Sequence, residues 1–286
     1  MRSLGIAALA GLTFSAVAQA APINVVAAEN FYGDVAMQIG GANVAVTSIL
    51  SNPDQDPHEF EASAATARQI ADARIVVYNG ADYDPWAVKL LSASPSSARI
   101  VIEVAKLVHK RPGDNPHLWY LPGTMQAFGR DLAAALSRFD AAHKVDYQAN
   151  LAKFETSLKP LDDMVAALRK KYGGTQVTAT EPVFGYMADA LGLKMRNGKF
   201  QLAIMNDTEP SAADIAAFEK DLRTKTVKVL FYNSQASGKL TERMQTIAKE
   251  SGVPILGVTE TEPAGKNYQE WMLSQLATFD QALGKR

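Results

Sequence analysis

Two blocks of alternating strand-like and helix-like sequence flank a long segment with no strand signal, and this limits the fold more than any other feature of the chain. In the first block Ile23-Asn-Val-Val-Ala-Ala28 is an apolar, β-branched run. Phe31 to Ile39 then has helical spacing and stops at Gly40-Gly41, and Val44 to Leu50 is a second strand. Helix is predicted over Ala64 to Ala73 and Pro85 to Leu91, and strand over Ile75 to Tyr78 and Ile100 to Ile102. Strands apolar on both faces that alternate with helices predict a parallel sheet covered on both sides.

Between Thr124 and Tyr172 only helical spacing survives. Gln126 to Phe139 forms one helix. Ala141 to Lys171 forms a long one, with Tyr147, Leu151, Phe154, Leu158, Leu161, Val165 and Leu168 three or four residues apart. Pro160 lacks a backbone donor, so a kink is expected within the turn before it. Alternation then resumes: strands at Gln176–Thr180, Val227–Tyr232 and Pro254–Val258, and helices at Phe184–Leu191, Ser211–Thr224, Leu240–Ser251 and Trp271–Leu283. The fold class expected is α/β, with two Rossmann-like parallel-sheet lobes joined by one long backbone helix. Its divisions are residues 21–139, the linker 140–172, and residues 173–286.

The first twenty residues read as an address. Met1-Arg2 is a basic start, Leu4 to Val17 is apolar, and Ala18-Gln19-Ala20 is an A-x-A cleavage pattern, so a secretory signal peptide over residues 1–20 is expected, cut after Ala20. The apolar run is too short for a bilayer span. The chain has no cysteine, which leaves no thiol for a lipid anchor or a disulfide despite an oxidising destination. A free periplasmic monomer with no direct membrane anchor is expected. With 47% hydrophobic residues the chain can bury a large core, and a formal charge of −1 offers nothing to nucleic acid or anionic lipid.

Ligands of open α/β sheets gather at the carboxyl ends of the strands. Pro53 and Pro57 stiffen the loop after the second strand, which delivers His58 just before a helix that Glu61 or Ser63 can open. Gly113-Asp-Asn-Pro-His117-Leu-Trp-Tyr120 repeats the order of acid or amide, proline, histidine and bulky residue after the fourth strand. Glu181 follows the Gln176 strand and Glu260 follows the Pro254 strand, so four metal-capable side chains come from four strand ends, two in each half. Two similarly held histidines suggest one shared ligand in the cleft between the lobes.

At these residues the chain resembles the solute-binding proteins of zinc and manganese ABC transporters, the cluster whose lobes are joined by a backbone helix. DPHEFEASAATARQIADARIVVYNGADYDPWAVKLL is similar to their metal-binding loop, helix and strand, NPHLWYLPGTM to their second histidine loop, and ATEPVFGYMADALGL to the opening of their second lobe. The resemblance covers nearly the whole mature chain. It implies that His58, His117, Glu181 and Glu260 are metal ligands, with Glu262 a competitor for the fourth place. It also implies a permease in the inner membrane and a cytoplasmic ATPase as partners. Imidazole and carboxylate donors suit Mn²⁺, Zn²⁺ or Fe²⁺. Zinc-selective relatives typically carry histidine where Glu181 stands, and a carboxylate that binds through two oxygens raises coordination above four, so manganese is the expected choice.

Several residues are left outside the expected ligand set. His109 reads as a surface residue and His143 as structural or solvated. Asn233, at a strand end where relatives often place an acid, is not assigned to metal. Phe31, Tyr32, Trp86, Trp119 and Phe184 are expected in the core before they are expected to wall the cleft. Lys194 to Asp207 departs from the family pattern, and no role is read for it. Two rival classes are a metal-dependent hydrolase and a secreted adhesin of the same fold. His58-Glu59-Phe60-Glu61-Ala62 begins like a zinc-hydrolase helix, but Ala62 stands where the second histidine must be.

Overall fold

The computed structural model describes residues 21–284 apart from Asp54 and Ser237. The expected signal peptide therefore lies outside the described residues. In the first lobe β1 (Ile23–Glu29), α1 (Asn30–Gly40), β2 (Val44–Leu50), α2 (Ala64–Asp72), β3 (Ile75–Tyr78), α3 (Pro85–Ala93), β4 (Ile100–Glu103) and the short α4 (Val104–Leu107) follow in order. Every pairing is parallel, in the order β2-β1-β3-β4. The β1–β3 core is fully buried on both faces, as continuous Val and Ile runs require. Ser63 caps α2 in a capping box with Thr66. Gly33 is needed where α1 crosses β2, since a Cβ there would lie 2.0 Å from Ser48 Oγ.

α5 (Thr124–Phe139) leads into α6 (Lys144–Ser157) and α7 (Lys159–Tyr172). The expected linker helix is thus two helices meeting at Leu158, which keeps a helical conformation at φ −81° and ψ −17°. Pro160 sits in the first turn of α7, where its missing N–H costs nothing, so the break falls just ahead of it. The second lobe comprises β5 (Gln176–Ala179), α8 (Gly185–Ala190), β6 (Lys194–Arg196), α9 (Gly198–Met205), α10 (Ala212–Arg223), β7 (Leu230–Asn233), α11 (Lys239–Glu250), β8 (Ile255–Val258) and α12 (Tyr268–Gly284). Its parallel order, β6-β5-β7-β8, repeats the topology of the first sheet. Both β6 and α9 lie in the stretch from Lys194 to Asp207. Lys-Met-Arg at a sheet edge carries no apolar run, so the pattern for this strand is missing from the sequence.

One aromatic core runs through both lobes. Phe31 lies 4.8 Å from Trp119 and 5.9 Å from Trp271, Tyr120 lies 5.4 Å from Phe184, and Phe184 stacks on Phe231 at 4.5 Å. Each fully buried ring contributes about 1.5–3 kcal/mol. α12 closes the chain against α7 and α1, so the linker is not the only joint between the lobes. Tyr268 N–H donates to Asp34 and its hydroxyl to the Trp119 carbonyl, while the Asn30 side chain exchanges two hydrogen bonds with the Glu262 backbone. These bonds pin the segment after β8, which carries Glu260, to the first lobe.

Candidate metal centre

The carboxyl ends of the two sheets face each other, and the side chains drawn from them meet in the cleft. His58 sits in a one-turn 3-10 helix, Pro57–Glu59, after β2. Pro57 presets that turn, and the Asp56 carboxylate accepts the His58 N–H at 2.9 Å. His117 precedes a second such turn, Leu118–Tyr120, and is fully buried. Its Nε2 and that of His58 lie 3.5 and 3.4 Å from Glu260 Oε2. One ligand atom from each of these three residues falls within 4.8 Å of the others.

The hydrogen-bond network fixes which nitrogen of His117 faces the cleft. Asn115 Nδ2 donates to the Pro182 carbonyl, so its Oδ1 must be the atom 2.6 Å from His117 Nδ1. Nδ1 therefore carries a proton, and Nε2 is the nitrogen turned to the cleft. That Nε2 is buried and has no hydrogen-bond partner among the described residues. A buried polar atom left in this state costs about 1–3 kcal/mol unless something fills the gap. A cation beside His58 and Glu260 would fill it, and the donor set of imidazole nitrogens and carboxylate oxygens fits a divalent transition metal. The Asn115-to-His117 bond is the usual second support of a metal-binding imidazole.

Charge is concentrated at Glu260. Burial pushes its carboxyl upward, but the imidazoles of His117 and His58 outweigh burial and hold it well below the usual carboxylate range. Burial lowers His58, and Glu260 more than compensates, leaving it raised to about 9. Glu181, only 4% exposed, stands outside the three-residue cluster and is raised to about 7 by burial and by the charge of Glu260. It is joined to the cluster through Asn233, whose amide donates to both Glu181 Oε2, at 3.2 Å, and Glu260 Oε1. Glu262 lies apart from the cluster. Burial and then the charge of Asp34 raise it to about 9, and its backbone is held by Asn30.

Sequence reasoning missed three supporting residues. Tyr83 donates to Glu260 Oε2 at 2.9 Å and packs edge-on to His58. Its loop is tightened by Asp84, which accepts the N–H groups of Asn79 and Gly80; Gly80 needs its left-handed φ of 78° there. Gln235 accepts the backbone N–H groups of Glu260 and Thr261 and donates to the Gln55 carbonyl and the Thr261 hydroxyl, so it ties the His58 loop to the Glu260 loop. Asn115 is the third. It alone had a sequence signal, as the amide of the repeated amide-proline-histidine pattern. Phe31, Tyr32, Trp119 and Phe184 are core residues, with Trp119 also edge-on to His117, and Trp86 packs on Phe60. His109 is exposed, and His143 bonds Asp140 at 2.6 Å, away from the site.

A cavity of about 370 Å³ opens beside His58 and Glu181. Ile204, Met205 and Asp207 line it, so the segment from Lys194 to Asp207 supplies a wall of the cleft.

The model of the periplasmic component A of zinc-uptake complexes, ZnuA, matches residues 25–282. This chain belongs to that family. The zinc-binding protein AdcA of Streptococcus pyogenes serotype M3 is 29% identical over 81% of this chain, which spans only half of AdcA. The metal ABC transporter substrate-binding lipoprotein ScbA of Streptococcus cristatus is 23% identical over 99% of this chain and 96% of its own. The periplasmic zinc binding protein TroA from Treponema pallidum superposes with a TM-score of 0.77 at 18% identity, covering 92% of this chain and 99% of TroA, a likeness of fold. Members of the ZnuA family are binding components of uptake systems and not enzymes, so the hydrolase reading falls.

Proposed function

We propose that this protein is the solute-binding receptor of an ABC importer. It captures one divalent transition metal between its lobes in the periplasm and delivers it to an inner-membrane permease driven by a cytoplasmic ATPase. The observation that carries this reading is the buried, unpartnered Nε2 of His117, placed with His58 Nε2 around one oxygen of Glu260. Glu181 completes a ligand set of two nitrogens and two carboxylates, with Zn²⁺ or Mn²⁺ as cargo and Fe²⁺ admitted by the same donors. Residues 21–139 and 173–286 act as the two jaws and residues 140–172 as their spine. Among the described residues no helix is long and apolar enough to cross a membrane.

A ligand that binds only the folded protein stabilises it by RT ln(1 + [L]/Kd), about 4 kcal/mol when free metal exceeds Kd a thousandfold. Chelator-treated protein should therefore melt several degrees higher once Zn²⁺ or Mn²⁺ is added at neutral pH, with one metal bound per chain by titration. Identical melting with and without either metal would remove the proposal.

A further inference from the structure

Asn233 is the last residue of β7, 2% exposed, and its side chain has one orientation. The Gln235 backbone N–H donates to Asn233 Oδ1 at 3.0 Å, which leaves the Nδ2 protons to face the cleft. Both are used there, one on Glu181 Oε2 and one on Glu260 Oε1. The other oxygen of Glu260 already takes the Tyr83 hydroxyl and faces the two histidines. Each carboxylate from the second half of the chain therefore has one oxygen anchored to the same buried amide, and in Glu260 it is the opposite oxygen that faces the histidines. A carboxylate oxygen has two lone pairs, so the amide does not fill it, but chelation through both oxygens would require the carboxylate to turn within its charge-assisted bond to a side chain that is itself held in place.

We propose that Asn233 is a specificity-determining residue: it holds Glu181 and Glu260 to one donor oxygen each, and so favours zinc over manganese. This rests on the receptor reading above. Two imidazole nitrogens and two single oxygens make the four-coordinate set that Zn²⁺ prefers, whereas Mn²⁺ favours more oxygen ligands. Glu181 taken alone pointed to manganese, because a free carboxylate can supply two oxygens. The amide that Asn233 places against it works against that option by fixing one of the two oxygens.

The test uses the mature protein and two variants, Asn233→Ala and Asn233→Leu, the second of which keeps volume while donating nothing. Competition titrations with buffered Zn²⁺ and Mn²⁺ should show the zinc-to-manganese affinity ratio falling by about tenfold in both variants, equivalent to about 1.4 kcal/mol. Cobalt is the spectroscopic probe. Wild type loaded with Co²⁺ should show the intense visible bands of a four-coordinate site, and both variants should lose that intensity as the freed oxygens join the metal. An unchanged ratio and cobalt spectrum in folded, metal-binding variants would overturn the proposal. So would a weak five- or six-coordinate cobalt spectrum in wild type, which needs no variant. If wild type takes up none of the three metals, the receptor reading fails first and the role of Asn233 with it.

Discussion

Loading the site should displace a proton from His58 at any pH below about 9. In the metal-free protein the imidazole lies 3.4 Å from Glu260 Oε2. Burial disfavours its charge, but the Glu260 carboxylate outweighs burial and raises it to about 9. At pH 7 the ring is therefore an imidazolium, and a metal needs its lone pair. With two pH units between 7 and 9, apparent affinity should rise about tenfold per unit, roughly a hundredfold in all, and then level off. Below pH 7 the slope should steepen, because Glu181, raised to about 7, begins to hold a second proton. An ordinary histidine, with a pKa of about 6.5, would have finished titrating before pH 8. Calorimetry at pH 8 in two buffers of different ionisation enthalpy counts released protons directly. Close to one proton per metal is expected, and none released would refute the raised His58. The same ion pair sets the pH dependence of the empty fold. Because the folded pKa of His58 is raised, its stabilisation is fully present below about pH 6.5 and lost as pH rises through about 9. Glu260 is depressed, so its share is present above about pH 4.5 and lost as pH falls toward its lower folded value. These are two views of one interaction and are counted once.

Glu181→Ala should weaken binding of zinc and manganese alike by removing one ligand, while Glu181→His should weaken manganese far more than zinc by supplying a third imidazole; parallel competition titrations read both ratios, and an unchanged ratio in Glu181→His would separate Glu181 from selectivity. Protein recovered from its own periplasm should begin at Ala21 and carry no lipid, and intact mass gives the answer, since a different start or an added acyl chain contradicts the reading of residues 1–20.

The two parallel sheets were legible because strands buried on both faces must be written in Val, Ile and Ala, and the helices between them must repeat at three and four. Among the described residues seven of the eight strands show an apolar run, β7 with Leu230 and Phe231 in place of those residues. β6 does not, because Lys194 and Arg196 flank a single half-buried Met195 at the sheet edge, where solvent replaces a second layer. α9 was missed with it, since a short helix after an αL Asn197 has too few turns to display a period. The break at Leu158 was readable from Pro160, because proline acts on its own chain and needs no tertiary partner.

The sequence by itself determined which loops and strand ends carry the candidate side chains. Proline-stiffened loops and strand ends are local features, and they deliver His58, His117, Glu181 and Glu260 wherever the lobes come to lie. Only the tertiary structure decided how those groups share protons and hydrogen bonds. Tyr83, Asn115, Asn233 and Gln235 act across separations of tens to well over a hundred residues, and a hydrogen bond depends on distance and direction that no spacing along the chain encodes. For the same reason the sequence could point to a carboxylate with two free oxygens, while the folded protein ties one of them to Asn233.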